Sequence, residues 1–131
     1  MNRFSAILLA GAMAFGTAQL VSIGPAHAEG DAEKGAKLAR QRCRTCHELE
    51  KEEAKPTGPH LIGVVGRTAG STDYAKYSDG LKESGIVWDE EQLDAWLTNP
   101  KDVVKKTRMN FRLRKPEQRA DVIAYLKTLT N

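Results

Sequence analysis

The amino-acid sequence predicts a small all-α domain of three or four helices joined by long loops. Apolar residues recur at helical spacing in two segments, Leu93/Trp96/Leu97 and Val122/Ile123/Tyr125/Leu126/Leu129. No segment alternates apolar and polar residues as a half-buried strand does. Residues 56–80 carry Pro56, Gly58, Pro59, Gly63, Gly66, Gly70 and Gly80, too many breakers for a regular element. A chain of 131 residues suits one such domain with a single core.

The first 28 residues read as a cleaved leader rather than as part of that core. Met1-Asn2-Arg3 supplies a positive start, Phe4 to Ile23 is apolar, and Ala26-His27-Ala28 offers small residues at a cleavage site. The run approaches the length that crosses a hydrocarbon layer of ~30 Å. Ser5, Gly11, Gly16, Thr17 and Gln19 interrupt it, and the small-x-small site follows directly, so export and cleavage after Ala28 are expected. Residues 29–131 then form the domain.

The first helix is expected over Asp31–Arg42, with Asp31 favouring its positive N-terminal end and Leu38 among alanines giving a narrow apolar face. A charged run, Glu48–Lys55, leads into the loop of residues 56–80. A second helix spans Asp89–Thr98, with acidic residues crowding its first turn and Asn99-Pro100 ending it. The last runs from Pro116 to Leu129, proline in its first turn. A loop as long as residues 56–80 needs something to pack against, and a large apolar cofactor is the simplest candidate.

Without Arg3 the net charge is +2, from +3 for the whole chain, so nothing global points to nucleic acid. The distribution says more. Lys101, Lys105, Lys106, Arg108, Arg112, Arg114, Lys115 and Arg119 face only Asp102 and Glu117 in their stretch. Glu48, Glu50, Glu52, Glu53, Asp89, Glu90, Glu91 and Asp94 lie elsewhere. Either a charge dipole or a solvated surface of mixed sign follows.

Cys43-Arg44-Thr45-Cys46-His47 is a C-x-x-C-H motif, the pattern of covalent haem attachment. Two thiols three positions apart can reach two vinyl groups on one haem edge, and the next histidine then lies under the iron. A disulfide would close too short a loop to stabilise much, and zinc would need further ligands. A thioredoxin-like dithiol needs a βαβ setting that a helical chain lacks. A second axial ligand is available in Met109, the one methionine outside the leader, in the polar segment Lys105–Phe111 where core filling explains it poorly. His60 competes for that role, although a histidine beside the Gly58-Pro59 turn is more often a surface residue.

The chain resembles the class I cytochrome c family, its mitochondrial and bacterial c2-like branch in particular. The resemblance runs through Gly30–Gly35, the haem motif, Thr57–Leu61, Gly63–Arg67, Tyr77–Asp79, Gly85–Trp88, Leu97–Pro100, Thr107–Phe111 and Ile123–Lys127. It implies helices and loops wrapped around one haem c bound through Cys43 and Cys46, with His47 and Met109 on the iron. It implies that the Pro59 carbonyl accepts the second ring proton of His47. Arg67, Tyr77 and Trp88 would surround the haem propionates, Thr107 would join the pocket, and Phe111 would cover the haem near its exposed edge. Gly35 would let the first helix cross the last against Val122 and Tyr125. The chain departs from the family in four places: Ala39 replaces a Phe, Leu81 an Asn, Lys106 a Gly, and Trp96 the Tyr whose hydroxyl approaches the methionine sulfur. The hydrogen bond to that sulfur is therefore left open.

With both axial positions filled, the resemblance implies an electron carrier rather than an enzyme: a periplasmic monomer that touches membranes only through its partners. Those partners are redox proteins, such as a quinol-oxidising complex, an oxidase, a reaction centre or a dehydrogenase. The alternatives are a haem enzyme or gas sensor with a labile sixth ligand, and a fixed electron-entry subunit of a larger enzyme.

Overall fold

The computed structural model describes residues 29–130. The leader expected at residues 1–28 lies outside the described residues. The first helix, α1 (Ala32–Arg42), begins where Asp31 stops it from unravelling: the Asp31 carboxylate accepts the backbone N–H groups of Glu33 at 3.0 Å and Lys34 at 3.1 Å. The Asp31 N–H donates in turn to the Asp121 carboxylate at 2.8 Å, ninety residues away in sequence.

These bonds, led by the one from Lys34, hold the Asp31 carboxyl below its ordinary range. A depressed carboxylate stabilises the fold above its unfolded-state value, and that contribution is lost as pH falls through the folded-state value. Asp31→Asn keeps an acceptor and removes the charge. Its thermal midpoint should lie below that of the parent protein at neutral pH and converge on it in acid. Parallel midpoint curves across that range would refute this linkage.

Four further helices follow: α2 (Asp79–Lys82), α3 (Glu90–Thr98), α4 (Pro100–Val103) and α5 (Pro116–Leu126). The all-α class is as expected, and the described residues contain no strand, only isolated bridges pairing Lys55 with Gly58 and Thr68 with Val87. The count differs from three or four because α2 and α4 are single turns, too short to carry a periodic pattern. Ser78 caps α2 by accepting the Leu81 N–H. Asn99 is extended and ends α3, while the proline behind it opens α4 at a position where its missing N–H costs nothing. The last helix ends at Leu126, not Leu129. Lys127 is its cap, and the Thr128 hydroxyl donates to the Tyr125 carbonyl at 2.7 Å, turning the chain out of the helix.

Two packings set the architecture. In the first, α1 lies across α5 so closely that a Cβ on Gly35 would stand 1.9 Å from the Asp121 carbonyl oxygen and 2.9 Å from Tyr125 Cβ. The crossing thus rests on the Asp121 backbone and Tyr125, whereas Val122 points into the core. In the second, Leu93, Trp96 and Leu97 of α3 and Val104, which caps α4, are buried against Val122, Ile123 and Leu126 of α5. The long loop contributes Val64 and Ala69 to the same core. It turns at Gly63, Gly66 and Gly70, which have φ of 65°, 86° and 73°, a region open to glycine at no steric cost. No helix among the described residues is long and apolar enough to cross a membrane.

Candidate functional site

The attachment motif leaves α1 as a tight turn. Cys43 caps the helix by donating its N–H to Ala39, and the N–H groups of Cys46 and His47 then return to the Cys43 carbonyl at 3.0 and 2.8 Å. Both cysteines are free, Cys43 half-buried and Cys46 exposed. Burial, with Cys46 adding to it, pushes the Cys43 thiol up to about 11. A thiol raised in this way is unlike the acidic thiols of redox-active dithiols.

His47 is held on its other side by residues 55–59. Its Nδ1 lies 2.8 Å from the Pro59 carbonyl oxygen. A carbonyl only accepts, so the ring proton sits on Nδ1 and the Nε2 lone pair is free. Burial keeps the imidazole below its usual range, against the opposing pull of the Pro59 bond, so the ring is neutral near pH 7. A side chain at Gly58 would come within 2.9 Å of the His47 ring and 2.8 Å of the Cys46 carbonyl. Glycine there lets the loop close over the imidazole. The Thr57 hydroxyl ties the same loop to the Cys46 carbonyl at 3.1 Å.

A second group of side chains gathers on the core cluster. Tyr77, Met109 and Phe111 pack against it as partly buried residues, and Trp88 belongs to it. The rings of Trp88 and Trp96 lie 5.1 Å apart at 60°. The Trp96 indole N–H donates to Met109 Sδ at 3.1 Å, so the bond left open by the sequence is made, by an indole instead of a phenol. Buried Thr107 accepts the Met109 N–H on its hydroxyl at 3.3 Å. Arg67 donates to the carbonyls of Ile62 and His60 at 2.7 and 2.9 Å. Its backbone carbonyl accepts the Trp88 N–H at 3.0 Å, bringing these two residues together. Burial depresses the Arg67 guanidinium, with Tyr77 and Glu52 near enough to oppose the shift. The Tyr77 hydroxyl lies 2.7 Å from that of Thr72.

Two residues behave differently from expectation. His60 is buried, not a surface residue, as is Gly58 two residues before it, which lies against the His47 ring; its Nδ1 has no hydrogen-bond partner among the described residues. Arg119, counted above with the basic stretch, is only 8% exposed. Its Nε donates to Asp94 at 2.7 Å, and its Nη1 to the carbonyls of Leu113 and Arg114 at 3.0 and 3.1 Å. The pattern held that signal, because Arg119, Val122, Ile123 and Leu126 stand at i, i+3, i+4 and i+7, which puts the arginine on the apolar stripe of α5. The other seven basic residues of the stretch are exposed.

A free thiol pair on one turn, a neutral imidazole with an open Nε2 and a thioether held by a single donor suit a covalently attached haem. A family model described as cytochrome c matches residues 32–130. Cytochrome c of Theileria annulata is 51% identical over 100 residues, covering 76% of this chain and 86% of its own length. Cytochrome c2 of Rhodomicrobium vannielii is 46% identical over 112 residues, covering 85% and 89%. Cytochrome c of Ginkgo biloba is 39% identical over 103 residues, covering 78% and 91%. With the match extending from α1 to the end of α5 and both thiols in place on their turn, this chain belongs to the cytochrome c family, a mono-haem electron carrier whose haem c is bound covalently through Cys43 and Cys46.

Proposed function

We propose that the protein is a diffusing periplasmic shuttle in which His47 and Met109 would hold the haem iron. The observation that carries this reading is the pair of prepared donors: His47 with its proton fixed on Nδ1 by Pro59, and Met109 with its sulfur held by Trp96. The haem supplies one iron that alternates between ferrous and ferric states. Pro59 orients His47 and strengthens it as a donor by accepting its Nδ1 proton. Met109 and the apolar side chains behind it disfavour extra positive charge, which favours the reduced form. With His47 and Met109 both given to the metal, the group would supply electron exchange and would leave no protein-side position for a substrate.

Arg67 uses two N–H groups on carbonyls and keeps the others for a propionate, with Tyr77 and Trp88 beside it. Thr107 holds the backbone of the ligand segment, and Phe111, packed on the core beside it, would shield the haem edge. Exposed Lys101, Lys105, Lys106, Arg108, Arg112, Arg114 and Lys115 steer an acidic face of a larger redox protein to a small, short-lived interface. Quinol-oxidising complexes, oxidases, reaction centres and dehydrogenases are the candidate partners. Residues 1–28 direct export and are removed after Ala28, leaving a monomer that meets membranes only through those partners.

Intact mass and a pyridine haemochrome spectrum of the purified protein test the frame: one haem added to a chain starting at Glu29. For the ligand, the ferric protein should show the weak red absorption of an iron–sulfur bond. Met109→Ala should abolish it, admit carbon monoxide to the ferrous form and lower the reduction potential by roughly 0.2 V, within the ~0.8 V span that axial ligands govern. Rapid carbon monoxide binding by the unmutated ferrous protein would replace the shuttle with a haem enzyme or sensor. Persistent co-elution with a large enzyme in native extracts would make the protein a fixed subunit.

A further inference from the structure

A groove of about 700 Å³ lies between α3 and α5, and Glu29 and Gly30 form part of its wall. Four carboxylates line it, those of Glu29, Glu90, Asp94 and Glu117, against two cations, Arg119 and Lys127. Both cations are already engaged: Arg119 Nε meets Asp94 at 2.7 Å and Lys127 Nζ meets Glu90 at 2.5 Å. Glu117 takes part in no ion pair among the described residues. The chain is anchored where it meets this groove. A Cβ on Gly30 would stand 2.0 Å from the Ala120 carbonyl oxygen, so the backbone there lies directly on α5, and the Asp31 N–H is tied to Asp121 at 2.8 Å. Glu29 stands one residue before these two fixed positions. In an uncut chain its nitrogen is a neutral amide. Cleavage after Ala28 turns that nitrogen into an α-ammonium, with an ordinary pKa of about 7.7 to 8.0.

We propose that this groove is the binding site of the chain's own α-ammonium, an acidic seat that removal of the leader fills and that then fastens the start of the domain to α5. The proposal rests on cleavage after Ala28. Glu117 is the groove carboxylate on α5 left to receive the new charge, and the Glu29 side chain is the other without a cation. Asp31 and Asp121 stand beside the groove and already accept backbone N–H groups. The positive end of α1 opposes a cation, and the Asp31 carboxylate covers that end. A charge inside a groove is screened less than one in open solvent, so the pairing outlasts that of a surface pair. The mature chain is thus held more firmly than one whose nitrogen at residue 29 carries no charge.

Cyanate attacks only unprotonated amines, and near pH 7 it modifies an α-amine ahead of the lysines, whose ordinary pKa is about 10.4. Its rate at Glu29 of the mature holoprotein, read by peptide mass spectrometry, therefore reports how firmly the ammonium is held. Glu117→Gln should be carbamylated about threefold faster than the parent, the scale of one partly exposed ion pair. Glu91→Gln removes an exposed carboxylate of α3 outside the groove and should match the parent. In about 1 M salt, where charges are screened within ~3 Å, the gap between Glu117→Gln and the parent should narrow. An amine whose pKa is raised in the folded state stabilises the fold below its unfolded value, and that contribution is lost as pH rises through the folded value. Carbamylated parent should accordingly melt below unmodified parent at pH 7 and converge on it in alkali, with a smaller gap at pH 7 in Glu117→Gln. Equal rates for the parent and Glu117→Gln, or an equal acceleration by Glu91→Gln, would overturn the proposal. Intact mass separates the two readings: a start other than Glu29 defeats the cleavage site and the seat together, whereas a start at Glu29 with equal rates defeats the seat alone.

Discussion

Gly35→Ala should destabilise the folded protein by about 3 kcal/mol, at the upper end of the usual cost of overpacking. The added methyl would stand 1.9 Å from a backbone carbonyl oxygen of α5, and a backbone atom within a helix cannot move aside as a side chain can. Alanine contributes about 1 kcal/mol over glycine in a helix interior, so a harmless substitution would stabilise α1. The sign of the change therefore separates a close crossing from a loose one. Chemical denaturation of the holoprotein, followed by helical circular dichroism, measures it. A midpoint at or above the parent value would mean that α1 and α5 are farther apart than described.

Removing Arg119 should be as damaging, for a different reason. In Arg119→Leu the Asp94 carboxylate loses its partner, and the Leu113 and Arg114 carbonyls lose a donor inside the molecule. Breaking one side of a buried pair costs about 3 to 5 kcal/mol, and since the Asp94 side chain is 31% exposed, water recovers part of that, leaving about 3 kcal/mol. The double variant Asp94→Leu/Arg119→Leu should recover part of the loss, because no charge is then stranded. The single variant should also lose the red iron–sulfur absorption at lower temperature. The residues it releases follow Met109, and Leu113 then keeps its core packing and its N–H bond to the Leu97 carbonyl at 2.7 Å but loses the bond at its own carbonyl. Equal stability of the single variant and the parent would show that the ion pair contributes nothing to the fold.

Local chemistry made most of the architecture legible. Asp31, Asp89 and Pro116 mark helix starts by mechanisms that act within one turn, and the structure begins α1, α3 and α5 at the next residue, or at the proline itself. The attachment motif was equally local, because two thiols and an imidazole in five residues admit few other uses. What escaped was either too short or too distant. Single-turn helices such as Asp79–Lys82 cannot display a period, and the cap on Ser78 is one residue's worth of signal. The burial of His60 and the pairing of Asp94 with Arg119 depend on elements brought together across 25 residues or on the direction of a turn. The Trp96–Met109 bond lay between these extremes. The resemblance named the position, and only the geometry decided whether an indole could replace a phenol there.

The union of α1 with α5 also bears on how the molecule comes into being. The partner of the first helix is the last one, and the Asp31–Asp121 bond spans almost the whole domain. During synthesis α1 has nothing to lie against until the final turns have been made. Bringing together groups this far apart carries a loop-closure cost that grows with the logarithm of their separation. The helix that ends at the two thiols therefore lacks its packing partner until the C-terminal helix is present.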